Sequence, residues 1–169
     1  MSSSIPMDAK TPPPLWAVVV MAALPVIAVS LAGSAATVPQ IPGWYAGIAK
    51  PSFNPPNWIF APVWTTLFAL MAVAVGRIFR SPVGHPGRRR ALLLYHLQLL
   101  LNLAWSFAFF GLNSPLAGLC VILPLLLLIL ATIAAFAPLD RLAALLLWPY
   151  AAWVGFATLL NLSIWWLNR

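Results

Sequence analysis

The chain has 169 residues, 63% of them hydrophobic and 7% charged. A soluble domain carries about 25% charged residues, so the composition excludes a soluble protein and leaves an integral membrane protein. The net charge of +7 rests on nine basic and two acidic residues. The basic residues are few and grouped, which marks orientation in a bilayer rather than nucleic-acid binding. A single cysteine, Cys120, rules out an internal disulfide and any CxxC metal or redox site.

In chain order, Met1–Pro14 is polar and Pro-rich and reads as a disordered tail. Leu15–Ala36 is an apolar run of 22 residues. Gly33-Ser34-Ala35 resembles a signal-peptidase site, but a signal core has about 7–15 residues, so the length favours a membrane-spanning helix. The stretch PGWYAGIAKPSFNPPNWIFAPVW, Pro42–Trp64, is dense in Trp and Pro and holds one charge, Lys50. Most loops are polar and mobile; this one is built to be stiff. Four further spans follow at about 56–79, 90–111, 115–138 and 142–167, each near the roughly 20 residues a bilayer core requires. The short links at Asn113-Ser114 and Leu139-Asp140-Arg141 make their neighbours antiparallel. The expected fold is therefore an all-α membrane protein, one five-helix bundle over 15–169 with a Trp/Pro-rich first loop as a lid. Lys10, Arg77, Arg80, Arg88, Arg89, Arg90 and Arg141 fall on the N-terminal side, against Lys50 and Arg169 on the other. In a bacterial inner membrane that bias puts the N-terminus in the cytoplasm.

Polar side chains inside spans face the bundle rather than lipid. Gln98, Asn102 and Ser106 recur every four residues in the third span, with Trp105 beside them; Trp153, Ala157, Asn161 and Trp165 do so in the fifth. The second offers Trp64 and Phe68 one turn apart, next to Thr65. Such spacing lines up each set on one helix face. Amide stripes can simply hold helices together. Three aromatic or amide stripes in one small bundle also describe a cavity, with Ala157 leaving room between two indoles. Such a space suits a flat, largely apolar ligand with polar edges. Trp58, Trp165 and Trp166 fit an interfacial aromatic belt, whereas Trp64, Trp105 and Trp153 lie deeper. Prolines at Pro25, Pro62, Pro124 and Pro149 can bend their helices. The acids Asp8 and Asp140 sit at span edges, so no carboxylate pair, nucleophile triad or phosphate loop is available. His96 points about 200° away from the amide stripe, a poor position for an axial haem ligand. No metal site and no required cofactor are expected. Ala104, Ala108 and Gly111 form a small-residue edge on the third span that would let two copies approach as a homodimer.

Three segments, GWYAGIAKPSFNPPNWIFAPVW, QLLLNLAWSFAFF and WPYAAWVGFATLLN, resemble the signature regions of the TspO/MBR (translocator protein) family. Its members include bacterial tryptophan-rich sensory proteins and the mitochondrial peripheral-type benzodiazepine receptors. The resemblance runs from Leu15 to Trp166. It implies five transmembrane helices, a cavity closed by the first loop, frequent homodimers, and porphyrin ligands such as protoporphyrin IX and haem, with sterols in animals. By position it implies a ligand site of Tyr45, Pro55, Trp64, Phe68, Asn102, Trp105, Trp153, Ala157 and Asn161, with Lys50 the cation nearest a porphyrin's propionates. Ser52-Phe53 replaces a Trp pair of many bacterial members, and Leu162–Trp166 lacks the Tyr and Arg of the animal sterol motif. The expected function is a porphyrin receptor or sensor with a role in tetrapyrrole transport or regulation. The alternatives are a light-dependent porphyrin-degrading enzyme using Trp64 and Trp153, and a ligand-free membrane assembly partner.

Overall fold

The computed structural model describes residues 13–169. Residues 1–12 of the expected tail, with Asp8 and Lys10, lie outside the described residues. Among the described residues, five helices are long and apolar enough to cross a membrane, giving the expected all-α five-helix bundle.

Helix α1 (Leu15–Thr37) does not stop at Ala36 as expected. It continues as a 3₁₀ turn, Val38–Gln40, and a π turn, Ile41–Tyr45. Pro39 and Pro42 each sit in the first turn of a new segment, where the missing N–H removes no helical bond. They restart the helix instead of ending it, so the connecting loop is shorter than expected and its Trp44 and Tyr45 are helical. Helix α2 (Asn57–Arg80) begins after Pro56, and Arg88 closes its far end by donating from Nε to the Ile78 carbonyl and from Nη2 to that of Phe79, each at 3.2 Å. Gly87, at φ 91°, turns the chain into α3 (Arg88–Ser106), a left-handed conformation suited to glycine. A second π turn, Phe107–Gly111, prolongs α3. Ser114 Oγ accepts from the Ala117 N–H to start α4 (Pro115–Phe136), which ends short of Pro138. The fifth span is broken into α5 (Arg141–Leu145) and α6 (Trp148–Leu167). Pro149 has no N–H for the Leu145 carbonyl, and the chain takes a turn at Leu146-Leu147 before α6 begins.

Around the bundle the spans follow the order first, second, fifth, fourth, third: α1 packs on α2 and α3, α3 on α4, α4 on α5 and α6, and α5 on α2. The half nearer the arginines is solid, with Met71, Ile78, Tyr95, Phe136, Leu147 and Tyr150 fully buried. The other half holds a separate aromatic cluster of Tyr45, Phe109 and Phe110 with Leu160 and Ile164. The small-residue edge is not one open surface: Ala108 is buried within the chain, Ala104 is half-buried and only Gly111 is exposed. Ala108 lies in the second π turn, Phe107–Gly111.

Candidate functional site

A cavity of about 260 Å³ opens between the loop-side ends of α1, α2 and α3. Tyr45, Trp64, Phe68, Asn102 and Trp105 line it, and α1 adds Ser30, Ser34 and Thr37. A smaller cavity of about 30 Å³ adjoins it on the α6 side and holds Trp153, Ala157 and Asn161. Tyr45, Phe60, Trp64, Trp105 and Phe110 line both. Above the α5–α6 break, α2 and α6 are bridged by side chains, Phe60 on Trp153 at 5.9 Å and Trp64 on Tyr150 at 6.3 Å between ring centres.

The two π turns build one wall together. Phe107–Gly111 admits an extra residue per turn, a distortion frequent at functional sites, and Ile41–Tyr45 is kinked at Gly43, where φ is −98° and ψ −105°. Here they bring Trp44 to 5.4 Å from Phe109 and Tyr45 to 5.6 Å from Phe110, while Trp105 stacks on Phe109 at 5.4 Å. Buried polar atoms are then paired across helices. Asn102 Nδ2 donates to the Tyr150 hydroxyl at 3.1 Å. Trp105 Nε1 donates to Asn161 Oδ1 at 3.2 Å, and Asn161 Nδ2 donates to the Pro115 carbonyl at 2.8 Å. Three atoms are left over: Trp153 Nε1 and both amide atoms of Gln98 are buried without a partner. Trp153 lines the smaller cavity, so its N–H is a free donor beside that space; Gln98 lines neither.

Eight of the nine expected residues line one or both cavities; Pro55 does not. It lies in the loop, where its carbonyl accepts from Asn54 Nδ2 at 3.1 Å, while Asn54 Oδ1 accepts from the Tyr45 hydroxyl at 2.8 Å. Its contribution is thus to hold the residue that holds Tyr45. Lys50 is also outside both linings. Its Nζ donates to the Ala46 and Ile48 carbonyls, at 3.2 and 2.8 Å, and lies 5.0 Å from the Tyr45 ring centre. That leaves one of three ammonium donors free. His96 turns back on its own helix, with Nδ1 2.7 Å from the Leu92 carbonyl. Among the described residues no group of three or more His, Cys, Asp or Glu comes together.

Sequence reasoning missed several lining residues. Ser30, Ser34 and Thr37 stand at i, i+4 and i+7 in an apolar span, a stripe visible in the sequence once the run is read as a helix to its end. Phe60 extends the Trp64–Phe68 spacing by one turn backwards. Phe110 continues the Gln98–Asn102–Ser106 stripe by one step, and Phe109 stands one turn after Trp105, so the spacing that revealed those residues also reached these two rings. The resulting space is uncharged, aromatic on most sides and edged by amides and hydroxyls. It can take up a flat apolar molecule and meet its rim with hydrogen bonds.

A profile of the TspO/MBR family matches residues 21–167. The chain is 44% identical over 142 residues to the Tryptophan-rich protein TspO of Chlorobaculum tepidum, covering 84% of this chain and 90% of that protein. It is 34% identical over 142 residues to Protein CrtK of Rhodobacter capsulatus, with 84% and 89% covered. To the Translocator protein of Homo sapiens it is 39% identical over 123 residues, with 72% and 73% covered. Five apolar spans, the quoted signature segments and a family match over most of the length lead to one statement: the chain belongs to the TspO/MBR family and is an integral, multi-pass membrane protein.

Proposed function

We propose that the protein is a membrane receptor for porphyrins such as protoporphyrin IX or haem, taking part in their sensing or transport. The observation that carries this reading is the pair of adjoining cavities that share five aromatic lining residues, Tyr45, Phe60, Trp64, Trp105 and Phe110. The larger, at about 260 Å³, is slightly below the ~300–1,000 Å³ usual for small-molecule sites. The smaller adds only about 30 Å³, so a porphyrin needs both joined and then widened by outward turns of Phe60, Trp64 and the loop above them. Trp64, Trp105 and Trp153 then stack on the macrocycle, and Asn102, Asn161 and Tyr45 meet its edge. The free Lys50 donor is on the loop side, where propionates would emerge. Relatives named Translocator protein and Tryptophan-rich sensory protein agree with transport or sensing.

The test is a titration of the purified protein in nanodiscs with protoporphyrin IX, followed by porphyrin absorbance and Trp fluorescence. Saturable one-to-one binding is expected, weakened at least about tenfold in Trp153→Ala and in Trp64→Ala, as loss of ~1.4 kcal/mol of stacking implies. Unquenched fluorescence and no saturation overturn the reading in favour of an assembly partner without a ligand. A second reading, light-dependent oxidation of the bound porphyrin, is favoured by Trp64 and Trp153 lining the same small cavity. Under illumination in air it requires more than one equivalent of porphyrin consumed, with that turnover lost in Trp153→Phe while binding persists.

A further inference from the structure

The loop from Ala46 to Pro56 is fastened to the far end of the chain. Asn168 Oδ1 accepts from the Ala49 N–H at 2.9 Å, and Asn168 Nδ2 donates back to the Ala49 carbonyl at 2.9 Å. The second Nδ2 hydrogen goes to the Ile164 carbonyl of its own helix at 2.7 Å. Both donors and one of the two acceptor positions of the carboxamide are thereby used. One fixes the side chain to α6, and two grip the backbone of a residue 119 positions away. Asn168 ends α6 with φ −121° and ψ 16°, and its carboxamide joins that helix end to the loop.

The loop in turn holds a wall of the cavity. From Ala49 the chain passes Lys50, whose ammonium is bound to loop carbonyls, to a tight turn in which the Asn54 N–H donates to the Pro51 carbonyl at 3.0 Å. Asn54 then accepts from the hydroxyl of Tyr45, which lines both cavities. Phe53, on Phe156 of α6 at 6.2 Å, is a second attachment, but half exposed and without direction. The Ala49 pair is directional and exposed to water, so it can break and re-form without disturbing the core.

We propose that Asn168 is a positioning residue that clasps the first loop shut and sets how fast ligand enters and leaves the cavity. This rests on the ligand-binding reading above. The test compares wild type with Asn168→Ala in nanodiscs, by hydrogen–deuterium exchange and by stopped-flow mixing with protoporphyrin IX. Exchange at residues 46–56 should rise about tenfold with two hydrogen bonds lost, while α2 and α4 stay unchanged. Porphyrin association and dissociation should both accelerate, leaving Kd within about threefold, because a latch alters the barrier to both directions alike. Unchanged loop exchange overturns the clasp. Faster loop exchange with unchanged porphyrin rates overturns its control of entry. If wild type binds no porphyrin, the receptor reading fails while the exchange result still decides the clasp. Should α4 also exchange faster in Asn168→Ala, Asn168→Asp serves in its place. It keeps the acceptor for the Ala49 N–H, loses the donors, and should fall between the two.

Discussion

Asn161 shows how little room the site leaves. Its Oδ1 holds the Trp105 indole and its Nδ2 holds α4, and a Cβ added at Gly118 would come within 2.7 Å of that Oδ1 and 2.9 Å of Phe109. Gly118→Ala should therefore push Asn161 off both partners and destabilise the protein by about 1–3 kcal/mol, the usual cost of overpacking. Thermal unfolding in detergent checks this, and an unchanged midpoint would mean that α4 can slide away from α6. Gln98 presents the opposite case. Both of its amide atoms are buried without partners, which carries a penalty of about 1–3 kcal/mol. Gln98→Leu should thus be neutral or stabilising in the same assay, with porphyrin affinity retained. A fall in stability would reveal an internal water bound to the amide. Neither effect is visible in the spacing of residues alone. The stripe Gln98–Asn102–Ser106 was legible as a face, but which of its members find partners depends on the helices opposite.

At the scale of elements, the basic end is tied by one ion pair, Arg77 Nη2 to Asp140 Oδ2 at 2.8 Å, which links α2 to the start of α5. Asp140 also caps α5 by accepting from the Ala143 N–H at 2.9 Å. Burial pushes its carboxyl up, but the hydrogen bond and charge of Arg77 and the backbone N–H groups outweigh that and leave it below its ordinary 3.8. A group depressed by folding contributes fully above its unfolded value and loses the contribution as pH falls through the folded one. Stability should be level from neutral pH down to about 4 and decline below it, and Asp140→Asn should remove that part of the decline. A pH series of unfolding midpoints measures both. The cap itself accounts for about 1 kcal/mol, so Asp140→Ala should be the less stable variant even at neutral pH.

For the whole molecule, hydropathy and length made the five spans legible, because a bilayer imposes a minimum of about 20 apolar residues. The helical stretch after Ala36 was not, since Pro39, Pro42 and Gly43 look like breakers when each is read alone. In the structure Pro39 and Pro42 lie in the first turns of new segments, and Gly43, at φ −98° and ψ −105°, kinks the chain without ending it. Most of the cavity's aromatic and amide lining on α2, α3 and α6 was visible through four-residue spacing. Phe109 and Phe110 continue that spacing, and the α1 hydroxyls become legible only when the first helix is read past Ala36. Among the described residues, Arg80, Arg89, Arg90 and Arg141 are exposed at one end, so orientation should follow them. Green fluorescent protein fused before Met1 should fluoresce in a bacterial host, and alkaline phosphatase fused after Arg169 should be active. The reverse pattern would turn the cavity toward the cytoplasm.

The circular order of the spans has an outcome for synthesis. The fifth span must insert between the second and the fourth, since α5 packs on α2 and both α5 and α6 on α4. Until then Asn102 lacks Tyr150 and Trp105 lacks Asn161. A nascent chain halted after Phe136 would carry polar atoms facing hydrocarbon along the open seam, where cellular quality control could recognise it. Insertion of the fifth span and closure of the cavity are therefore the same event.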